Sequence, residues 1–115
     1  RRAARDWYLR AIAQAPHLRE PYMDLAMLLY EDGQWEGVLY FTACALAITD
    51  RPRSYICEAQ AWGSLPHDLR SMAFYRTGAY AQAVEEVKKA LEKEPGNERL
   101  QKNLVFMEET LQKSF

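Results

Sequence analysis

The chain has 115 residues, of which 15 are basic and 16 acidic, so its formal net charge is −1. This is the length of one domain, and a hydrophobic fraction of 49% is enough for a core. The charge balance excludes the basic surface that nucleic-acid binding requires. No apolar run approaches the ~20 residues that span a bilayer, so we predict neither a nucleic-acid partner nor a membrane span.

The cysteines and the N-terminus indicate the compartment. The chain has two cysteines, Cys44 and Cys57, and Cys44 lies in the apolar run of a predicted helix. The pair is more typical of small core residues than of a disulfide. The chain opens on two arginines with no apolar segment behind them, so no cleavable signal is predicted. We therefore expect a reducing, cytoplasmic location.

The first three predicted helices are separated by clear breaks. Apolar side chains recur at i, i+3, i+4 and i+7 over residues 1–15, and Pro16 ends this helix. The next two helices are predicted over 20–32 and 35–49, with Gly33 between them as a left-handed stop. They should form an antiparallel hairpin.

An irregular insert follows, over residues 51–65. A short helix is predicted over 55–61, and Trp62 lies outside any regular pattern. Trp62 could fill the gap between two hairpins or stand open as a contact for a ligand. Because the insert is too apolar for a floppy loop, we expect Tyr55 and Trp62 to pack between the hairpins.

Three helices are predicted after the insert, and they complete the chain. The first two cover 66–77 and 80–94, with Gly78 between them. The last covers 98–112, with Asn97 as its N-cap. This last helix is more polar than the others, as is typical of a helix that caps a stack.

One pattern recurs through these helices. A first copy contains Tyr22, Leu25, Ala26, Leu29, Val38, Thr42 and Ala45; a second contains His67, Arg70, Ser71, Phe74, Ala83, Val87, Ala90 and Pro95; a half copy contains Ala4, Tyr8, Ala11 and Pro16. The pattern resembles the tetratricopeptide repeat, a helical hairpin of about 34 residues. The two glycines lie 45 residues apart, so about 11 residues are inserted.

The resemblance implies an all-α fold, an antiparallel helical-hairpin stack of about six helices with an irregular insert. The divisions expected are the second helix of a truncated repeat (1–16), a repeat (19–50), the insert (51–65), a repeat (66–95) and a capping helix (98–113). Since the chain begins within a repeat, we expect it to belong to a longer protein.

A narrower resemblance involves Glu20–Ala26, Arg51–Leu69 and Tyr75–Tyr80, which read EPYMDLA, RPRSYICEAQAWGSLPHDL and YRTGAY. These segments look like the helical-repeat region attached to some bacterial family-2 glycosyltransferases. No Asp-x-Asp motif and no alternation of strands and helices is found, so nothing here resembles the catalytic domain. The resemblance implies an accessory region of such a protein, and the chain itself is not expected to be an enzyme.

Two groups of residues are candidates for a chemical site. His67 and Asp68, with Glu58 and Tyr55 nearby in sequence, could supply a base, but a structural role that fastens the turn is favoured. The histidines and cysteines show no metal-ligand spacing. No catalytic residue, metal site or cofactor is therefore predicted.

The concave face of the stack is the predicted binding surface, because hairpin stacks commonly hold a partner there. Methionine adapts to irregular partners, and tyrosine and arginine are frequent hot-spot residues. The residues expected on this face are Met23, Met27, Tyr30, Glu31, Asp68, Met72, Tyr75, Arg76, Arg99, Lys102 and Phe106.

The favoured function is protein–protein interaction or scaffolding. The expected partner is a protein or peptide, and the protein's own catalytic domain is one candidate. One alternative is binding of an acceptor substrate, glycan or peptide, for glycosyl transfer; another is a structural spacer or dimerisation element. Because helix 1–15 lacks its hairpin partner, Trp7 or Ile12 should be uncovered. We expect a weak homodimer through this end, by symmetric packing or helix exchange.

Overall fold

The computed structural model describes residues 2–51 and 59–114, with the backbone alone at 59 and 60. These residues form seven helices and no strand, which confirms the all-α class. The helices are α1 (Arg2–Gln14), α2 (Arg19–Glu31), α3 (Trp35–Ala47), α4 (Ala59–Trp62), α5 (Leu65–Arg76), α6 (Tyr80–Lys93) and α7 (Glu98–Lys113). Six of them lie within two residues of the long helices predicted from the sequence. The predictions for Tyr55 and Glu58 lie outside the described residues.

Two turns of the same kind join α2 to α3 and α5 to α6. Gly33 has φ 71° and Gly78 has φ 84°, the left-handed region that glycine enters without a steric cost. In each turn the glycine N–H donates to the carbonyl three residues back, at 3.1 and 3.2 Å, and the next N–H donates to the carbonyl five residues back, at 2.9 and 2.8 Å. These bonds form a Schellman motif, so both hairpins close in the same way.

The two hairpins also bury equivalent positions. Fully buried pairs separated by 45 residues are Ala26 and Ser71, Val38 and Ala83, Thr42 and Val87, and Ala45 and Ala90. Most of these side chains are small, which allows the helix backbones to approach closely. The second hairpin therefore repeats the internal packing of the first.

The helices pack in series along a molecule of 45 × 31 × 20 Å. The order of contacts is α1, α2, α3, α5, α6, α7, while α4 rests on α5 and α2. Arg70 occupies a position that is leucine in the first hairpin, and Leu69 and Ala73 supply the buried surface there. The apolar contact of α5 is therefore made by the neighbouring residue Leu69 and by Ala73 in place of residue 70, and the order of the helices in the stack is unchanged.

The two ends of the series are incompletely covered. No residue of α1 is buried; Ile12 packs against the main core, but Trp7 is 64% exposed. On α7, Asn97 accepts a hydrogen bond from the Leu100 N–H at 3.1 Å, as a cap should. Two apolar side chains of α7, Val105 and Phe106, remain exposed.

Candidate functional site

One groove is lined by α2, α5, α7 and the segments that precede α5 and α7. This inner groove has a volume of about 350 Å³, and its lining residues are Met27, Gly63, Ser64, Leu65, Asp68, Glu94 and Arg99. Three of them, Met27, Asp68 and Arg99, belong to the face predicted from the sequence. The structure brings these three together from three different helices.

An ion pair forms one wall of the inner groove. Arg99 donates from Nη1 to Asp68 Oδ1 at 3.3 Å, and Nη2 donates to Oδ2. The hydrogen bond to Asp68 and the charge of that carboxylate raise the pKa of Arg99 against the opposing effect of burial. Glu94 accepts a hydrogen bond from Asn97 Nδ2 at 2.9 Å. The groove thus places two carboxylates and one guanidinium beside the apolar Met27 side chain.

Two aromatic pairs support the predicted tyrosines at the ends of α2 and α5. The Tyr30 and Trp35 rings lie 5.5 Å apart, and the Tyr75 and Tyr80 rings lie 5.6 Å apart. Members of the two pairs are separated by 45 residues, so the contact is repeated in each hairpin. Offset or edge-on ring pairs of this kind stabilise one another. Trp35 and Tyr80 therefore help to orient the two tyrosines.

The remaining residues of the predicted face do not line the inner groove. Met72 is half-buried against the core around α6 and α7. Arg76 lies 5.9 Å above the Trp35 ring, and Glu31 is exposed and engaged in an interaction. Lys102 and Phe106 line a shallow cavity on α7 instead. The Tyr75 and Phe106 rings lie 5.7 Å apart, so these two residues of the predicted face meet outside the inner groove.

Met23 is a correction to the predicted face. It is 4% exposed and belongs to the main core. The helix that carries it, α2, packs on α1, α3, α4 and α5. With neighbours on so many sides, the buried part of α2 is wider than the single stripe that periodicity shows. Met23 is therefore not available to a partner in this structure.

A buried ionic cluster joins α5 to α6. Glu86 is 6% exposed; its Oε1 lies 2.8 Å from His67 Nδ1 and 3.2 Å from Arg70 Nε, and its Oε2 lies 3.6 Å from Lys89 Nζ. Burial acts to raise the pKa of Glu86, but the hydrogen bond to His67 and the charges of His67, Arg70 and Lys89 outweigh burial and lower it. Glu86 is therefore a buried carboxylate whose charge is balanced by basic side chains.

Arg70 extends this cluster to a third helix. Its Nη1 donates to the Leu39 carbonyl at 2.9 Å and to Thr42 Oγ1 at 3.1 Å. His67 and Asp68 were expected to fasten the turn of the insert; instead His67 contacts α6 and Asp68 contacts α7. Both residues connect helices across the stack, which is a structural role.

A second polar contact fixes Trp62 to the first hairpin. Arg19 donates from Nε to the Ile48 carbonyl at 2.8 Å and from Nη1 to the Ala61 carbonyl at 3.0 Å, and its guanidinium lies 4.0 Å above the Trp62 ring. Trp62 Nε1 donates to Glu20 at 3.3 Å. We call Arg19, Glu20 and Trp62 the Arg19 clasp. Burial lowers the pKa of the Arg19 guanidinium. No pattern in the sequence indicated this role for Arg19.

Comparison with known proteins adds no relative. No model of a known protein family matches the chain, and no curated protein matches it significantly in sequence. Over residues 2–51 and 59–114, no group of three or more His, Cys, Asp or Glu residues could hold a metal ion. Nor do those residues form a helix that is both long and apolar enough to cross a membrane. The geometry of the inner groove is therefore the main guide to function.

Proposed function

We propose that this chain is a protein-interaction module of the tetratricopeptide-repeat type, which holds a peptide segment of a partner protein in the inner groove. The observation that carries the proposal is the convergence of Met27, Asp68 and Arg99 from three helices on one cavity of about 350 Å³. The groove combines the apolar Met27 and Leu65 side chains with three charged groups, and a concave site with apolar surface and fixed polar groups is typical of sites that bind ligands. A bound segment could place an apolar side chain against Met27 and polar groups against the ion pair.

The contacts that hold the lining residues of the inner groove in place favour a preformed site. Asp68 and Arg99 hold each other in place across α5 and α7, and the Arg19 clasp holds α4, which precedes the groove residues Gly63 and Ser64, against α2. A preorganised site loses less conformational entropy when it binds. Affinity for a peptide therefore depends mainly on the fit of its side chains.

We propose further that the chain acts as a cytoplasmic accessory region of a larger bacterial glycosyltransferase-like protein, whose catalytic domain is one candidate partner. This part rests on the sequence resemblance alone. The alternative of direct glycan binding finds less support, because glycan sites favour an open aromatic ring, and the Trp62 ring is covered by Arg19. Turnover of a nucleotide sugar by the purified chain would contradict a purely accessory role.

The proposal is tested by selecting peptides from a displayed random library against the purified chain. Binding of the selected peptides is then measured on Met27→Lys and Arg99→Glu, with Tyr40→Ser as the matched control. Tyr40 is an exposed residue of α3 that does not line the groove. We expect the first two variants to bind at least tenfold more weakly and the control to bind normally. Equal binding by all three, or no selected peptide, would refute a peptide site in this groove.

A further inference from the structure

We propose that the inner groove selects peptides with a long basic side chain, lysine or arginine, next to an apolar one, and that Glu94 binds the basic group. This inference rests on the peptide site proposed above and names the chemistry of its occupant. It is carried first by the charges that line the groove, which are two carboxylates, Asp68 and Glu94, and one guanidinium, Arg99. With two acidic groups and one basic group, the lining favours a cation.

Asp68 and Arg99 balance each other. Both oxygens of Asp68 accept hydrogen bonds from Arg99, and the Asp68 side chain is only 13% exposed. A carboxylate held by a guanidinium at both oxygens has little left to offer a second cation. An anionic ligand would have to compete with Asp68 for Arg99 while it faced the carboxylate of Glu94. Glu94 is therefore the charged group of the groove that is left to select a ligand.

The cap of α7 holds the Glu94 carboxylate in a fixed orientation. Asn97 donates from Nδ2 to Glu94 Oε2 at 2.9 Å, while Asn97 Oδ1 accepts from the Leu100 N–H at 3.1 Å. The Asn97 N–H also donates to the Glu94 carbonyl at 3.1 Å. An ionised carboxylate accepts hydrogen bonds at both oxygens, so Glu94 Oε1 can accept one from a ligand. Because the carboxylate is already oriented, binding costs little conformational entropy.

The position of Glu94 in its helix adds to the attraction for a cation. Glu94 is the C-cap residue of α6, and the C-terminal end of a helix carries a partial negative charge that favours cations. Lys93 lies in the last turn of the same helix, but it is not one of the residues that line the groove. A basic group that enters the groove therefore meets both the Glu94 carboxylate and the negative end of α6.

The apolar part of the groove suits the stem of a basic side chain. Met27 is 37% exposed, and Leu65 lines the same groove. Lysine and arginine lay their methylene groups along apolar surface and keep the charged group in water. Glu94 is exposed, so the charged group stays hydrated when it reaches the carboxylate. The flexible Met27 side chain adapts to the stem, and a neighbouring apolar side chain of the peptide fills the rest of the groove.

The test compares each library-selected peptide with a copy in which its basic residue is methionine, which keeps the stem and removes the charge. Binding is measured on the native chain, on Glu94→Gln, which keeps an acceptor for Asn97, and on Glu92→Gln as the control. Glu92 is exposed on the same helix and does not line the groove. We expect the native chain and the control to bind the basic peptide about fivefold more tightly than its methionine copy, as for a partly exposed ion pair. Glu94→Gln should bind both peptides equally.

The outcomes separate this inference from the peptide site itself. Selected peptides that lose affinity for Met27→Lys but contain no basic residue would overturn the inference and leave the site standing. The same holds if Glu94→Gln still distinguishes the basic peptide from its methionine copy. Failure to select any peptide would overturn both. A charge reversal, Glu94→Lys, should instead prefer a copy of the peptide with glutamate in place of the basic residue. Far-UV circular dichroism checks that each variant is folded.

Discussion

Replacing Trp62 with alanine should destabilise the whole stack, because Trp62 fastens α4 to the first hairpin. The Trp62 ring is half-buried against the main core, it lies under the Arg19 guanidinium at 4.0 Å, and its Nε1 donates to Glu20 at 3.3 Å. The change removes all three contacts. Arg19 keeps its bonds to the Ile48 and Ala61 carbonyls, so its charge is not left without partners.

The size of the effect follows from these contacts. Truncating a fully buried tryptophan costs about 3–5 kcal/mol, so we assign about half of that, ~2 kcal/mol, to a half-buried ring. The stacked guanidinium contributes ~0.5–2 kcal/mol, and the partly exposed hydrogen bond adds ~0.5 kcal/mol. We expect a loss of about 3–4.5 kcal/mol in the free energy of unfolding. For a domain of this size, ~4 °C per kcal/mol gives a fall of about 12–18 °C in Tm.

The assay is urea and thermal unfolding followed by far-UV circular dichroism, since fluorescence would change with the number of tryptophans. The matched control is Trp7→Ala at low protein concentration, where an exposed ring should cost less than ~0.5 kcal/mol. A double-mutant cycle with Arg19→Met isolates the stacking energy, for which we expect a coupling of ~0.5–2 kcal/mol. If Trp62→Ala and Trp7→Ala unfold at the same midpoint, the Arg19 clasp does not stabilise the fold.

Three further predictions concern single positions. Glu86→Gln should lower the free energy of unfolding by ~1–3 kcal/mol at pH 7. Because the folded-state pKa of Glu86 is lowered, the ionised carboxylate stabilises the fold above its ordinary pKa of about 4.3, and this stabilisation is lost as the pH falls through the folded-state pKa. The unfolding curves of the native chain and the variant should therefore differ at neutral pH and converge in acid. Gly78→Ala should lower the free energy of unfolding by ~1–2 kcal/mol because of the positive φ alone, since the space around Gly78 is open. Gly96 has no positive φ, so Gly96→Ala should be neutral or slightly stabilising. Equal costs for the two variants would contradict the turn geometry. Leu100→Ala should lower the free energy of unfolding by ~2–5 kcal/mol, and with it the urea midpoint, because Leu100 is fully buried. Val105→Ala should change the urea midpoint little. If Val105→Ala were the more destabilising of the two, α7 would pack through its other face.

Local sequence patterns were sufficient to predict the helices and their turns. Apolar spacing located the helices that became α2, α3, α5 and α6, and the glycines at 33 and 78 marked the turns that both have positive φ. These features depend on neighbours within a few residues, since a helix repeats every 3.6 residues and a left-handed turn favours glycine. The all-α stack and the predicted face that contains Met27, Asp68 and Arg99 came instead from the resemblance of these helices to a repeat.

Only the tertiary structure decided which polar residues are buried and which predicted contacts are lost. Arg19 reaches carbonyl groups 29 and 42 residues away, and Glu86 is buried because α5 supplies His67 and Arg70. Met23 is buried and does not lie on the predicted face, because α2 has neighbours on several sides. Periodicity shows which side of a helix is apolar, but the burial of a charged group depends on whether distant elements bring partners to it. Those partners are set by packing, which no local window of sequence contains.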